Sequence, residues 1–409
     1  MRIPMLLIAA GLVMLVGCSG DSPAARYVTV DTLPGGIPRT ITSQPIDSGR
    51  WQLVRDRDIQ PPELDSAELM NPSDVALADD GSVLIVDRPT HIKVFDRAGQ
   101  LLRRIGREGA GPGEFGAAFI AVRGDTLVVQ DPRNARATTF NWRTGAILTE
   151  RRTSCCYFSP MGVDGQGRAV VRAMARAPDS TWRNVSSFVR FPLASTEADT
   201  VFVLDRQDVD EPKSWILRSG SGSQTRMMMA MSVPLQPSTN AQVDPTGGFI
   251  TGWSGAYMLR LTSDGRDTTA LFGRAWTAVA VSGSEKRRIV DQRIEQMTGD
   301  GRSSWSEDAL RASFDASMIP DTRPAYAGFR VDAAGRRWVQ REDGDTTQVR
   351  FDLFDEQGRW LDVVAVPSSS WPRTAYAPAA WGREEMAVIL EGDDGRPLIR
   401  VFRITRVED

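Results

Sequence analysis

The chain has 409 residues, of which 41% are hydrophobic, 25% charged and 8% aromatic, and its net charge at pH 7 is −3. This is the profile of a globular protein, because a disordered chain would have less apolar content and a larger net charge. The near-neutral balance argues against a nucleic-acid-binding surface, which needs a basic excess. The single histidine, His91, excludes a metal site built from several histidines.

The N-terminal residues have the pattern of an export signal. Arg2 supplies a positive charge, and residues 3–16 form an uncharged, mostly apolar run that is too short to span a membrane comfortably. The run ends in the sequence LVGC at Cys18. A small residue before a cysteine at this point resembles the lipobox of bacterial lipoproteins. The resemblance implies cleavage before Cys18 and acylation of that residue. The alternative is an ordinary secretory signal with a chance cysteine.

These features divide the chain into a signal peptide (residues 1–17), a small polar tether (18–26) and one domain (27–409) with no later apolar run of 18 residues. We therefore expect a protein of the cell envelope, held on a membrane through lipidated Cys18, at the outer membrane or the periplasmic side if the cell has two membranes. The adjacent Cys155 and Cys156 either form a strained disulfide or lie on opposite faces of a strand. Neither is a credible nucleophile without a nearby histidine.

The clearest repeat covers residues 71–106, where four short apolar runs are separated by turn sequences. The runs predict strands at 75–77, 83–86, 92–95 and 101–105, because Asp-Gly and Ala-Gly turns between apolar runs are strong hairpin signals. A four-stranded antiparallel meander of about 40 residues is the size of one β-propeller blade.

This unit, with the segment after it, resembles the NHL type of propeller repeat. The resemblance implies a propeller that binds partners on a rigid face. The matching residues are Pro72, Asp79 with Gly81, Val86 and Asp87, Phe95 and Asp96 with Gly99, and the linker GAGPGEF at 109–115.

Five weaker copies follow at 122–150, 160–205, 243–273, 329–367 and 381–406. The sequence therefore predicts an all-β fold, a six-bladed β-propeller with four-stranded antiparallel blades. The last copy is short, so we expect residues 27–44 to complete the final blade and close the ring, with residues 51–54 entering the first blade. Met227, Met228, Met229 and Met231 are expected on a strand of blade four, or on an adaptable apolar contact surface.

Residues 282–319 break the pattern and predict two helices. Ser282 with Glu285 forms a capping box for the first helix, and Ser306 is a cap for the second. We expect this insert to leave the boundary of the fifth blade and to pack over one rim. It is either a lid or partner surface, or a cover for apolar strands.

Asp87 and Asp131 end the second strands of the first two blades, with Arg88 and Arg133 beside them. Two interpretations stay open. These four residues form a channel-face site for a polar ligand or a cation, or the aspartates cap turns by accepting from backbone amides. His91 is expected at a strand start near solvent. No catalytic residue is predicted, and Asn134, Asn141, Asn184 and Asn240 are the candidate amide ligands for a metal.

The sequence thus favours a membrane-anchored extracytoplasmic platform that binds an envelope protein or a small polar ligand, with no nucleic acid as partner and no catalysis. No cofactor is predicted, although a single divalent cation such as calcium is compatible with the aspartates. The alternative function is a metal-dependent hydrolase of the lactonase type on a propeller scaffold. Such a site needs only Glu, Asn and Asp around one metal, so the lack of histidines does not remove it.

Overall fold

Six antiparallel blades, five of four strands and one extended to six, are arranged as a closed β-propeller, which confirms the predicted fold class. A computed structural model describes residues 25–408 except 89–90, 154–161, 177–183, 193–200, 204–211, 220–226, 266, 299–304 and 373–378.

The strands of the blades follow the chain in order, whereas the three strands that precede blade one pair with blades four and six. Before blade one lie β1 (Val28–Leu33), β2 (Ile37–Thr42) and β3 (Trp51–Ile59). Blade one contains β4 (Pro72–Leu77), β5 (Val83–Asp87), β6 (His91–Phe95) and β7 (Leu101–Ile105), and the short parallel pair β8 (Arg107–Glu108) and β9 (Glu114–Phe115) leads to blade two. Blade two contains β10 (Phe119–Arg123), β11 (Thr126–Asp131), β12 (Arg136–Asn141) and β13 (Ala146–Arg152).

The second half of the ring carries the insertions. Blade three contains β14 (Gly162–Val163), β15 (Arg168–Arg176), β16 (Asn184–Pro192) and β17 (Val201–Val203), and the separate hairpin of β18 (Ser214–Ser219) and β19 (Met227–Ser232) follows. Blade four contains β20 (Thr239–Val243), β21 (Phe249–Trp253), β22 (Met258–Thr262) and β23 (Thr268–Arg274). Helices α1 (Gly283–Thr298) and α2 (Glu307–Ser313) precede blade five, which contains β24 (Gly328–Val331), β25 (Arg337–Gln340), β26 (Gln348–Phe354) and β27 (Trp360–Pro367). Blade six combines β28 (Ala379–Trp381), β29 (Glu385–Glu391) and β30 (Pro397–Arg406) with β3.

The repeated D-x-x-G turns form because one aspartate oxygen accepts from the turn's own backbone. In blade five, Asp332 Oδ1 accepts from the N–H groups of Ala334 and Arg336, each at 2.9 Å. Gly335 has φ +80°, a conformation that a residue with a side chain rarely adopts. The same geometry at Asp164 and Asp355 explains why this short motif marks blade turns along the chain.

Each interface between neighbouring blades contains its own apolar cluster. Between blades three and four, for example, the Phe188 and Phe249 rings stack with centroids 4.8 Å apart. Between blades one and two, the buried Asp74 of β4 accepts from Ile120 N–H of β10 at 2.8 Å and so joins the two inner strands. Burial raises the pKa of Asp74 to about 7, because it disfavours the charged carboxylate. The hydrogen bonds that Asp74 accepts from Ile120 N–H and Val75 N–H lower its pKa only in part.

The ring closes differently from the sequence prediction. Strand β3 pairs antiparallel with β30, from Trp51 opposite Arg406 to Ile59 opposite Ile399, so it completes blade six. The prediction that residues 51–54 enter blade one was therefore wrong, and so was the prediction that residues 27–44 close the ring.

Residues 27–44 instead form the β1–β2 hairpin, which extends blade four. Its β2 strand pairs parallel with β23, from Arg39 opposite Leu271 to Thr42 opposite Arg274. Gly35 and Gly36 have φ of +87° and +78°, and this tight turn pairs β1 with β2. Because β1 pairs with one edge of β2, only the other edge can join a blade, and it pairs with β23. The longer β3 pairs with β30.

The predicted helical insert is confirmed, and both predicted N-caps are formed. Ser282 Oγ accepts from Glu285 N–H at 3.2 Å and Ser306 Oγ accepts from Ala309 N–H at 3.3 Å. The Glu285 side chain does not complete the capping box, because it forms an ion pair with the buried Arg323. Neither α1 nor α2 has the length and apolarity to cross a membrane, and the structure describes no other α-helix.

The insert packs on the β18–β19 hairpin. Trp215 of β18 contacts Phe314 with ring centroids 4.7 Å apart, and its Nε1 donates to the carbonyl of Asp315 at 3.0 Å. The methionine-rich stretch therefore belongs to this hairpin and not to blade four, which corrects the expectation for Met227–Met231. Met228 is 68% exposed on the outer side of the hairpin, whereas Met229 and Met231 pack against the helices.

We expect a chain that starts at residue 45 to fold, and a chain that starts at residue 60 to fail. The first loses only the hairpin at the edge of blade four, whereas the second also loses β3 and leaves β30 without its antiparallel partner. Thermal unfolding by circular dichroism and gel filtration would compare both with the mature chain. Equal stability and equal monomer content of the two truncated forms would contradict the assignment of β3 as the closing strand.

Candidate functional site

Neighbouring strands in each blade run in opposite directions, so the ends of the second strands lie on the same face as the connections between blades. We call this the upper face. Asp87 and Asp131 end β5 and β11 and therefore lie there, each beside the connection that enters its own blade. The sequence prediction thus placed all four candidate residues on one face, and the structure adds what their side chains contact.

Asp87 holds the connection from β3 to blade one. Its side chain is only 3% exposed, and it accepts from the N–H groups of Met70 at 3.0 Å and Asn71 at 2.7 Å. Its second oxygen forms an ion pair with Lys93 Nζ at 2.6 Å. Lys93 is 4% exposed and also donates to the carbonyl of Glu68. A buried ion pair is stable when additional hydrogen bonds satisfy both groups, as here.

Asp131 holds the connection from blade one to blade two in the same way, through hydrogen bonds. Its oxygens accept from the backbone N–H groups of Gly116 at 3.0 Å, Ala117 at 3.2 Å, Arg133 at 3.1 Å and Asn134 at 3.2 Å. The amide of Asn134 donates to it at 2.6 Å and also to the carbonyl of Gly109 at 2.8 Å. These donors are all uncharged, so Asp131 keeps its connection in place through N–H groups alone.

Both carboxylates thus have the geometry of the turn-capping interpretation, and their hydrogen bonds are made within the protein. Arg88 and Arg133, by contrast, are exposed. Neither guanidinium has an ion-pair partner among the described residues. Of these four residues, the two exposed ones are therefore positively charged, and the two acidic ones are buried.

Gly116 determines the position of Arg133. A Cβ at residue 116 would lie 2.4 Å from Arg133 Cδ and 3.0 Å from its Cγ, so the stem of Arg133 lies directly over the glycine. Backbone strain does not require glycine at this position, since its φ is not in the left-handed region. The absence of a side chain at residue 116 therefore serves the close approach of Arg133.

A narrow cleft lies between blades one and two. The residues that line it come from the end of β5, the start of β6 and the connection to β10, and they are Val86, Asp87, Arg88, His91, Phe115, Gly116, Ala117 and Ala118. Pro89 and Thr90 of the same loop lie outside the described residues.

His91 begins β6, as the sequence predicted, and is half-buried in this cleft. Burial lowers the pKa of His91, and the positive charges of Lys93 and Arg104 lower that pKa further, against the opposing effect of Asp87. The imidazole is therefore mainly neutral at pH 7, and its pKa depends on the charges around the cleft.

The candidate metal ligands do not converge in the described part of the chain. Asn134 is bonded to Asp131, Asn141 accepts from Thr144 N–H at 2.9 Å in a turn, and Asn240 donates to the carbonyl of Ser238 at 3.3 Å. The side chain of Asn184 lies outside the described residues, as do Cys18, Cys155 and Cys156. Among the residues described, no group of three or more His, Cys, Asp or Glu side chains is placed to hold a metal ion.

Sequence reasoning missed Lys93 as the partner of Asp87. A signal was present, because a lysine inside the apolar strand HIKVF must either face solvent or find a buried anion. It also missed Asp74, which lies in the strand PSDVAL and is buried there.

No model of a known protein family matches the chain, and no curated protein matches its sequence. Solved structures that resemble it include a protein of Bacteroides fragilis NCTC 9343 whose description calls it exported, with 13% identity, a TM-score of 0.45 and coverage of 90% of this chain and 99% of that one. The RRP9 WD40 repeats match with 10% identity and a TM-score of 0.45. The structure of U3-55K matches with 9% identity and a TM-score of 0.42, and both matches cover 87% of this chain and 99% of the other. Similarities this distant carry no argument about this chain.

Replacing Asp87 by alanine should destabilise the domain far more than replacing Lys93 by methionine. The first change leaves a buried ammonium unpaired, at a cost of about 3–5 kcal/mol, whereas the second leaves Asp87 with the N–H groups of Met70 and Asn71. The double variant Asp87→Ala/Lys93→Met should recover part of the loss. Urea unfolding of the four proteins measures this, and additive effects would argue against the buried pair.

Proposed function

We propose that this protein is a lipid-anchored extracytoplasmic propeller that binds an envelope protein or a small polar ligand on its upper face, without catalysis. One observation carries the proposal. The acidic residues at the strand ends of this face are buried and make their hydrogen bonds to the protein's own N–H and ammonium groups, while the neighbouring arginines face outward.

A binding surface of this kind gains from being fixed before the partner arrives. Asp87 and Asp131 attach the blade connections to the strand ends, and the apolar clusters lock each blade between two neighbours. Loops that are already ordered lose little conformational entropy on binding, so more of the contact energy is available as affinity. This rigidity supports recognition and requires no moving part.

The metal-dependent hydrolase is less well supported by the same residues. A calcium ion takes six to eight oxygen ligands, and carboxylates are its main source of charge. Asp87 would have to leave Lys93 and two backbone N–H groups to serve as such a ligand, and Asp131 would have to leave five N–H donors. Each move would leave buried donors unsatisfied, at a cost of about 1–3 kcal/mol for each group.

The position of the N-terminal hairpin suits the proposed anchor. Tether residues 18–26 lead into β1, which lies at the outer edge of blade four. In a ring of six blades, blade four lies opposite blade one. A membrane attached at Cys18 would therefore hold the ring on one side and leave the cleft between blades one and two on the far side.

Replacing Cys18 by alanine should leave unlipidated precursor, because the modified residue itself is lost. Membrane fractionation and mass spectrometry of the N-terminus would detect the change. Ser19→Ala serves as a matched control that keeps the cysteine and should remain lipidated. A Cys18→Ala protein that is still processed and acylated would contradict the proposed anchor.

The soluble domain, residues 19–409, should show no lactonase or esterase turnover above buffer in the presence of a panel of divalent metals. The measurement is hydrolysis of chromogenic esters and of lactones by pH-stat. Reproducible turnover that disappears with a chelator would overturn the non-catalytic proposal in favour of the metal-dependent hydrolase.

A further inference from the structure

The cleft between blades one and two is lined by Arg88, and the stem of Arg133 lies over Gly116 of the same lining, while the nearby carboxylates are already hydrogen-bonded within the protein. We propose that this cleft binds a small oxyanion, a phosphate or carboxylate group, between Arg88 and Arg133. The inference rests on the proposed binding function and names the chemical class of its ligand.

Hydrogen bonds fix the backbone at both arginines. Arg88 follows the buried Asp87 directly, and its own N–H donates to the carbonyl of Asn71 at 3.1 Å. Arg133 donates its N–H to Asp131 at 3.1 Å and lies with its stem over Gly116, which lines the cleft. A guanidinium presents its N–H groups in a planar fork that matches the geometry of a carboxylate or phosphate.

The local charges favour an anion. Asp87, the acidic residue in the cleft lining, is paired with Lys93 at 2.6 Å, and this ammonium offsets its repulsion of a negative ligand. Asp131 accepts hydrogen bonds from five N–H groups, which stabilise its charge within the protein. Arg104 adds a further positive charge close enough to lower the pKa of His91. The guanidiniums of Arg88 and Arg133, which have no ion-pair partner among the described residues, add an excess of positive charge on this side of the cleft.

His91 makes the proposal measurable, because it is the single histidine of the chain and it lines the cleft. Its imidazole therefore gives one set of signals in a nuclear magnetic resonance spectrum. The charges that face it are Lys93 and Arg104, which lower its pKa, and Asp87, which raises it. An oxyanion bound beside it stabilises the imidazolium, so binding raises the pKa of His91.

The experiment is a titration of the soluble domain, labelled at histidine, with inorganic phosphate and separately with malonate at constant ionic strength. We expect a saturable shift of the His91 signals and a higher pKa of His91 at saturation. Arg88→Gln/Arg133→Gln should weaken binding by roughly tenfold or more, because charge-assisted hydrogen bonds are lost. Arg287→Gln is the matched control: it removes one exposed arginine from α1, outside the cleft, and should bind as the parent does.

Gly116→Ala provides a second test that changes no charge. Its added methyl group displaces the stem of Arg133, so we expect weaker binding with unaltered net charge. Thermal unfolding of each variant confirms that it is folded. Saturation by phosphate alone or by malonate alone identifies which oxyanion the cleft prefers.

Two results would overturn the proposal: a shift that rises linearly without saturating, or a saturable shift that the double arginine variant retains unchanged. Neither result touches the proposed platform function, which the turnover assay tests, since a partner could still bind elsewhere on the upper face. Metal-dependent turnover with intact phosphate binding would instead refute the platform and leave the anion site standing.

Discussion

The antiparallel pairing of β3 with β30 is the constraint on which the rest of the structure depends, because it joins the beginning of the domain to its end. Once blade six is complete, every blade packs between two neighbours, and no interface lacks an apolar cluster. A ring closed in this way leaves no blade without a neighbour on either side, and the strand edges that stay free are those of the outermost strands. The strand ends that carry Asp87 and Asp131 lie on one face of this closed ring.

Buried aspartates act as connectors throughout this ring. Asp74 joins the inner strands of blades one and two, Asp244 pairs with Arg337 at 3.2 Å between blades four and five, and Asp352 accepts from Tyr257 at 2.5 Å and Arg274 at 2.8 Å across the same interface. A buried carboxylate that loses its donors is costly, so each of these residues favours a single relative placement of two blades. Asp87 and Asp131 belong to this group, which explains why acidic residues on the upper face are poor indicators of a metal site.

Local sequence patterns predicted the blades, the helical insert and its caps, because turn chemistry acts over a few residues, as the D-x-x-G turn at Asp332 illustrates. The closure was not predictable in this way. Residues 27–44 and β3 both carry patterns suited to an edge strand, and the choice between them depends on contacts more than 300 residues apart, such as Trp51 with Arg406. The candidate site was found through Asp87 and Asp131 as strand ends. Their donors are backbone N–H groups that no side-chain pattern reveals, so the arginines emerged as the exposed groups only from the structure.

The separation of β1–β2 from the closing strand has a mechanical consequence. A pull on the chain before Ala25 acts first on β1, at the end where Val28 is opposite Thr42, and there the hairpin opens one residue pair at a time. Strand β3 follows only after residues 43–50, whose Ile46 and Asp47 N–H groups are bonded to the carbonyls of Trp360 and Leu361. Tension on the tether would therefore separate the strands of a peripheral hairpin first, and the closed ring of the propeller would remain intact.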